Sequence, residues 1–320
     1  MNRSLIALPA VLLLALGAAR AQEEAKTTTA APKATLRLKH VEGTTSHFVI
    51  ASTMKVAISV AGQEMGQDMD TQMFMEQKVL GVKDGVATVT QRIYRIKIKA
   101  DSMMAQVDYD SDDENSDAGM MENATEMLDQ TFELKIDASG KVLDVKAPEG
   151  FDPSSMRGVG SDGDMKSFFD RNNIVLPEGP IAVGESWESE SENNMGQMGK
   201  MKVKSTNKLV KIEGGKATIE QVMKLDTSGM QMPAEMQMTP GDASGTTVID
   251  LEKGVVVESA TAMKMTMSGE QQGMEMNMEM TMGSSMKQTE APAPKAKKEE
   301  AKTEAKEAAP TPAPVKKDGK

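Results

Sequence analysis

Apolar and polar side chains alternate along most of the chain between residues 35 and 287. The alternation is clearest in residues 53–60, 86–99 and 131–137, and a shorter run follows at residues 201–204. Successive side chains of a β-strand point to opposite faces of a sheet, so a period of two is typical of half-buried strands. The pattern therefore predicts antiparallel sheet with one apolar and one polar face.

Glycine-bearing turns separate these strands. Residues 83–85 and 213–215 both end in glycine between alternating runs, which suits the positive φ of tight hairpins. Residues 78–89 align with residues 208–219 at an offset of 130, and each stretch contains a strand, a turn and a returning strand. We interpret this as the internal duplication of a strand-rich unit, with chance resemblance between hairpins as the alternative.

These patterns predict a mainly β protein: a large curved antiparallel sheet or incomplete barrel built from two related strand-rich halves, with one short helix and a disordered C-terminal tail. Residues 161–173 carry the helix pattern, and a proline- and glycine-bearing stretch follows them. The predicted division is a signal peptide (1–21), a polar leader (22–34), a first β-rich repeat (35–147), a linker with the short helix (148–180), a second β-rich repeat (181–287) and a tail rich in Ala, Lys, Glu and Pro (288–320).

The first 21 residues have the layout of a secretory signal. Arg3 precedes an apolar run, and Ala19-Arg20-Ala21 forms a small-residue cleavage site. The run is too short to span a membrane, which needs ~20 apolar residues, and no later segment approaches that length. We therefore expect an exported protein, periplasmic or extracellular, without a transmembrane segment.

Methionine changes this picture, because it supplies 30 of the 320 residues and often falls on strand positions. The alternating methionines of the last two predicted strands that we select as candidate ligand-binding residues are Met263, Met265, Met267, Met274, Met276, Met278 and Met280. The simplest interpretation is that Met replaces Val, Ile and Leu in the buried row of the sheet. The second is an adaptable apolar groove for a lipid, an acyl chain or an unfolded hydrophobic segment, because flexible thioether side chains repack around different guests.

A third interpretation is soft-metal binding, because thioethers suit Cu(I). The candidate ligands are the loop-like cluster Met230, Met232, Met236 and Met238. The chain has no Cys and two His, so the affinity of such a site would rest on neutral sulfur. We expect no other cofactor.

Composition and charge exclude several functions. The formal net charge of -11 has the wrong sign for neutralising phosphates, so nucleic acid is not an expected partner. The absence of Cys removes disulfides and cysteine nucleophiles, and His40 and His47 alone are poor material for a zinc site or a Ser-His-Asp triad. The sequence also lacks the G-x-S-x-G and phosphate-loop motifs, so we expect no enzymatic activity.

Three stretches carry a family resemblance. They are residues 34–39, residues 176–187 with the sequence Leu-Pro-Glu-Gly-Pro-Ile-Ala-Val-Gly-Glu-Ser-Trp, and residues 245–258. Together with the Met strands they resemble an uncharacterised family of secreted, Met-rich bacterial β proteins, classed as a domain of unknown function, over roughly residues 35–287. The resemblance implies no known activity and no catalytic residues. The curved sheet is more remotely similar to lipoprotein-carrier folds, which is an analogy of fold alone.

The sequence thus favours a non-enzymatic protein of the cell envelope that binds hydrophobic or lipid-like ligands on a Met-rich sheet face. The alternatives are soft-metal (copper) binding through Met clusters and a purely structural envelope protein. The Lys-bearing tail is a further candidate for contact with envelope polymers or anionic surfaces.

Overall fold

The computed structural model of the chain describes residues 33–103, 106–117, 119, 125–152, 165–170, 173–194, 199–231, 236–271 and 274–292. The strands and the helix are β1 (Lys33–Ala34), β2 (Thr45–Val60), β3 (Gln63–Lys83), β4 (Val86–Ser102), β5 (Gln106–Asp110), β6 (Thr131–Asp137), β7 (Val142–Lys146), α1 (Met165–Asp170), β8 (Ile181–Ala182), β9 (Ser186–Asn194), β10 (Lys200–Glu213), β11 (Lys216–Asp226), β12 (Met236–Asp250), β13 (Val255–Gln271) and β14 (Met274–Thr289).

Twelve of these strands form one antiparallel sheet. Its order is β7-β6-β4-β3-β2-β14-β13-β12-β11-β10-β9, and β5 pairs with β4 beside this path. The remaining two strands, β1 and β8, pair with each other. The prediction of a large antiparallel sheet made of related halves, with a short helix, is confirmed, and both halves belong to the same continuous sheet.

The two halves follow each other in the sheet without a change of order. The first repeat contributes β2, β3, β4, β6 and β7, and the second contributes β9 to β13 in the corresponding sequence. β14 lies between them and pairs with β13 on one side and with β2 on the other. The duplicated hairpin that the sequence predicts corresponds to β3–β4 in the first repeat and β10–β11 in the second.

Two clusters of buried side chains lie on one face of the sheet, which we call the inner face. The first cluster centres on β4 and β6, where Val89 and Leu134 are fully buried, and it includes Phe168 and Phe169 of α1. The second centres on Leu209 and Ile219 of β10 and β11. Branched aliphatic and aromatic residues dominate both clusters, as expected for well-packed strand cores.

The N-terminal segment and the linker cover the end of the sheet where the β6–β7, β10–β11 and β12–β13 turns lie. Leu36 is fully buried against the second cluster, together with Ile174 and Leu176. The N–H of Leu38 donates to the carbonyl of Ala138 in the β6–β7 turn. The N–H of Lys39 donates to the carbonyl of Gly254 in the β12–β13 turn. A segment that starts the first predicted repeat therefore closes the core of the second.

Helix α1 bridges the two edges of the sheet. It contacts both β7 and β9, the terminal strands of the strand order. The carboxylate of Asp170 accepts a hydrogen bond from the N–H of Val142 in β7, and the indole Nε1 of Trp187 in β9 donates to the carbonyl of Val175. The sheet therefore curls around its inner face, although no ladder among the described strands joins β7 to β9.

Some predicted segments lie outside the described residues. These are the signal peptide (1–21), most of the leader and the tail from residue 293 onward. Where the predicted tail begins, β14 continues to Thr289, because Gln288 and Thr289 pair with Phe48 and His47 of β2.

Candidate functional site: a methionine-lined sheet face

The methionines of β13 and β14 stand directly opposite one another. Their registered pairs are Met263 with Met282, Met265 with Met280, and Met267 with Met278. Residues directly opposite in an antiparallel ladder share a face and have Cβ atoms ~5 Å apart. The two strands therefore carry adjoining rows of thioethers.

The rows continue onto the neighbouring strands. In β2, Met54, Val56 and Ile58 stand opposite Met282, Met280 and Met278. In β12, Met238 stands opposite Met267 and Pro240 opposite Met265. We call this surface the Met face and define it by Met54, Val56, Ile58, Met236, Met238, Pro240, Met263, Met265, Met267, Met276, Met278, Met280 and Met282.

Every residue of the Met face is half-buried, whereas most of the alternate positions on β12, β13 and β14 are polar and exposed. Lys264 and Thr266 alternate with the methionines of β13, and Glu275, Asn277 and Glu279 with those of β14. Among the described residues, neither cluster of buried side chains extends to the methionines of β12, β13 or β14. The Met face is thus an uncharged apolar surface that the two cores do not fill.

A row of hydrogen-bonded amides lies on the inner face once in each repeat. In the first repeat, Gln91 Nε2 donates to Gln77 Oε1 at 2.8 Å. In the second, Gln221 Nε2 donates to Asn207 Oδ1 at 2.9 Å, and Asn207 Nδ2 donates to Ser189 Oγ at 3.0 Å. Both pairs obey the 130-residue offset of the duplicated hairpin. Asn207 is fully buried, so these partners satisfy amide groups that water does not reach.

The second repeat contains a gap between two neighbouring strands. β11 pairs with β12 only as far as Met223 and Ala243. Beyond this point β11 continues to Asp226 beside β10, while β12 follows β13 alone. We call this divergence the β11–β12 split. An open cavity of about 640 Å³ lies there, lined from the inner face by Met223 and Leu225 and from the outer face by Lys224 and Asp242.

The sequence of β12 fits an unpaired edge at the split. Pro240 lacks the N–H that a ladder needs, and proline in sheets is confined to edges and bulges. The register with β13 is interrupted between Pro240 and Ala243. A Cβ on Gly241 would lie 2.9 Å from the carbonyl oxygen of Lys264, so glycine permits this close approach. Pro240 and Gly241 thus suit the divergence of β12 from β11.

The equivalent region of the first repeat is filled. β4 pairs with β6 from Val86 to Arg92, and beyond Arg92 it pairs with β5 instead. Ile93 of β4 forms a bridge to Leu128, and Met127 beside it is 1% exposed. Met223, which the offset makes the counterpart of Ile93, is half-buried beside the split. The two repeats therefore differ in side-chain burial at equivalent strand positions.

The outer face carries the charged groups. Arg95 donates from Nε and Nη2 to the two carboxylate oxygens of Asp110 at 2.9 and 2.7 Å. This bidentate hydrogen bond holds the pKa of Asp110 well below its usual range. Beside the split, Lys204 and Lys224 stand directly opposite each other on β10 and β11, an unfavourable pairing of like charges.

The structure brings together most of the candidate ligand-binding residues from the sequence. All but Met274 belong to the Met face; Met274 stands opposite Gln271 at the start of β14 and is 44% exposed. Of the proposed metal cluster, Met236 and Met238 also lie on the Met face. Met230 occupies a turn bridged to Gly199, and Met232 lies outside the described residues.

Sequence reasoning missed the share of the Met face that β2 contributes, the amide row and the split. The alternation in β2 was visible, but only the register with β14 shows which strand its apolar row adjoins. Within the described residues, no group of three or more His, Cys, Asp or Glu side chains is placed to hold a metal ion. None of the helices described is long and apolar enough to cross a membrane.

The fold and the site define a tandemly duplicated, open antiparallel sheet with one uncharged apolar face. The model of a family of unknown function, DUF6263, matches residues 84–156 and again residues 154–256, together more than half of the 320 residues. The chain therefore belongs to the DUF6263 family. This confirms the resemblance to a domain-of-unknown-function family, and the double match confirms the two related halves.

Solved structures show remote similarity only. A lipovitellin structure describing lipid–protein interactions is 10% identical, with a TM-score of 0.49, over 80% of this chain and 26% of that chain. The translocator domain of the autotransporter NalP from Neisseria meningitidis is 8% identical, with a TM-score of 0.19, over 77% and 90%. A DUF1329 family protein from Desulfovibrio piger is 10% identical, with a TM-score of 0.17, over 77% and 87%. The chain thus spans about a quarter of the lipovitellin chain. No curated protein matches the sequence.

Proposed function

We propose that this protein is an exported, non-enzymatic binding module that holds a hydrophobic or lipid-like ligand on the Met face. The observation that carries the proposal is the continuous apolar surface across β12, β13, β14 and β2, half-buried and outside both cores. Large uncovered apolar surfaces on proteins commonly mark binding sites.

The energetics favour a ligand on this surface. Removal of apolar surface from water contributes roughly 25 cal/mol per Å², so a ligand that covers the remaining exposed part of the Met face gains free energy. The defined residues carry no charge that the ligand would have to desolvate. An apolar ligand therefore meets no electrostatic penalty there.

The choice of side chain also supports binding over simple core formation. Ile, Leu, Val and Phe, which specify one packing arrangement, predominate in the closed cores beside Met127, whereas ten of the thirteen residues of the Met face are methionines. Methionine has three rotatable bonds and a polarisable sulfur, so a Met surface adapts to guests of different shape. A merely structural sheet would gain nothing from this difference.

A pair of neighbouring substitutions on β14 tests the proposal. Met278→Glu places a carboxylate on the Met face, and Asn277→Glu adds the same charge to the exposed outer face. Binding of the uncharged fluorescent probe N-phenyl-1-naphthylamine should weaken by about ten-fold or more in the first variant, because a buried carboxylate is costly. It should change little in the second. Equal affinities in the two variants, or no binding by the wild-type protein, would contradict the proposal.

One arrangement favours copper as a second candidate ligand. Met238, Met267 and Met278 occupy registered positions on three adjacent strands, β12, β13 and β14, and share the inner face. Three neighbouring thioethers are suitable ligands for Cu(I). Titration with Cu(I) under reducing conditions tests this second proposal: a Met267→Leu variant, which keeps the apolar surface, should lose Cu(I) binding and retain the naphthylamine probe. Binding no tighter than that of free methionine would exclude the copper site.

A further inference from the structure

We propose that the β11–β12 split is the entrance through which the acyl chain of a fatty-acid-like amphiphile reaches the Met face, while its anionic head remains outside at Lys224 and Lys264. The inference rests on the proposed function and adds to it the route and the class of ligand. It is carried by the cavity at the split, by its lining and by the local charge.

The cavity at the split is lined by residues whose side chains belong to both faces of the sheet. Inner-face side chains of Met223, Leu225 and Pro240 line it together with the outer-face residues Lys224 and Asp242. Its volume of about 640 Å³ falls within the range of ~300–1,000 Å³ that is common for small-molecule sites. Since Pro240 and Met238 also belong to the Met face, an acyl chain that passes the split arrives on that face.

The split needs no unfolding to admit a chain. A continuous antiparallel ladder would have to break several hydrogen bonds before a ligand could pass between its strands. Here the ladder already ends at Met223 and Ala243, and the divergent parts of β11 and β12 keep pairing with β10 and β13 on their other sides. The rest of the sheet therefore stays intact during entry.

The charges on the outer rim indicate an anionic head group. Lys224 stands opposite Lys204, and the backbone of Lys264 packs against Gly241 at the split, in a chain of net charge -11. Among the described residues, none of these three lysines forms an ion pair with a carboxylate, although Glu190 stands opposite Lys204 on β9 and Asp242 lines the cavity. A carboxylate head group beside Lys224 would relieve the repulsion between Lys224 and Lys204 while the apolar chain lies inside, with Lys264 on β13 as a further cation.

A cross-link across the split tests the entrance, and the absence of native Cys makes the chemistry selective. Lys224→Cys with Asp242→Cys places one thiol on each side of the split on the outer face. A bis-maleimide reagent joins them, and the same variant capped with N-ethylmaleimide is its reference. Glu220→Cys with Thr246→Cys is the matched control, because these exposed residues are registered partners where the ladder is closed.

The readout is the association rate of dansyl-undecanoic acid, a fluorescent fatty acid, in stopped-flow measurements. Cross-linking across the split should slow association by on the order of ten-fold or more relative to the capped reference, because the route is blocked. Cross-linking of the control pair should leave the rate unchanged. Equal association rates in both cross-linked proteins would overturn the proposal that the split is the entrance.

A second pair of double variants tests whether Lys224 and Lys264 bind the anionic head group. Lys224→Gln with Lys264→Gln should weaken binding of dansyl-undecanoic acid several-fold and leave binding of the uncharged naphthylamine probe unchanged. Lys83→Gln with Lys141→Gln, two exposed lysines at the turn end, is the control. Unchanged fatty-acid affinity in the first variant overturns the head-group assignment. If the wild-type protein binds neither probe, the proposed function fails as well as the route.

Discussion

The two repeats share the same strand arrangement, but they differ at equivalent strand positions beyond the amide pair. Each has the duplicated hairpin and the amide pair on its inner face. Beyond the amide pair, toward the end of β4, the inner face of the first repeat is filled. Ile93 is 3% exposed there, and β5 and Met127 occupy the adjoining space. The second repeat leaves the β11–β12 split and the half-buried Met223.

The difference originates in one connection. Residues 103–130 join β4 to β6 in the first repeat and include β5 and Met127, whereas residues 227–235 join β11 to β12 in the second. The longer connection contributes β5, which pairs with β4, and the buried Met127, whereas the described part of the shorter connection contributes no strand. The two repeats thus have the same strand arrangement, and the longer connection accompanies the closed core while the shorter one accompanies the open surface.

The largest effect is expected from the closed core of the first repeat. Phe132 is 1% exposed, and the centroid of its ring lies 5.0 Å from the ring centroid of Phe151 and 5.2 Å from that of Phe169. Phe132→Ala should lower the free energy of unfolding by about 3–5 kcal/mol, because it leaves a cavity among rings that cannot collapse fully. Urea unfolding followed by circular dichroism measures it. A loss below about 1 kcal/mol would show that this core is not closed.

The amide row should give a smaller effect that differs between the repeats. Asn207→Ala removes a fully buried amide, leaves Nε2 of the half-buried Gln221 without its acceptor and should cost about 1–3 kcal/mol. Gln77→Ala removes the counterpart in the first repeat, where both amides are half-buried, and should cost less. Unfolding of both variants, followed by the fluorescence of the single Trp187, measures the difference. Equal costs would mean that water reaches both rows alike.

The N-terminal segment predicts a pH dependence. Burial lowers the pKa of His40, and its Nε2 has no hydrogen-bond partner among the described residues. Below the unfolded pKa of ~6.5 the unfolded chain binds a proton more readily than the folded chain, so stability falls as pH decreases from there toward the folded pKa. His40→Gln should flatten the stability profile in this window. An unchanged profile would show that His40 protonation is not linked to unfolding.

The smallest effect on stability is expected on the Met face. Met278→Ala truncates a half-buried side chain that borders the open surface, so the structure loses less packing than at a core position. The free energy of unfolding should fall by less than about 1.5 kcal/mol, well under the Phe132→Ala value. A cost equal to that of Phe132→Ala would mean that the Met face is a filled core.

The sequence predicts the strands and the methionine rows because alternation is a local property. Met263, Met265 and Met267 could be assigned to one face without knowing any partner. The same reasoning could not place Asn207 and Gln221 inside, because their burial depends on strands that lie beside them in the sheet. On β3, Gln67 shares the inner side with Met65 and Met69, so the apolar period is weak there.

Long-range pairing determines the rest. Leu36 belongs by position to the first predicted repeat, yet it is buried against Leu209 and Ile219 of the second. The split depends on where the β11–β12 ladder ends, which Pro240 and Gly241 mark only after their strand partners are known. The amino-acid pattern therefore predicts which side chains share a face of the sheet, but it predicts poorly which strands lie beside each other.

Methionine footprinting with and without a bound fatty acid tests the central claim most directly. Brief treatment with hydrogen peroxide converts accessible thioethers to sulfoxides, which mass spectrometry assigns to individual residues. We predict that Met265, Met278 and Met280 oxidise in the free protein and are protected by dansyl-undecanoic acid, while Met127 stays unreactive in both states. Met-face residues as unreactive as Met127, or oxidation that the fatty acid does not alter, would contradict an open, ligand-binding face.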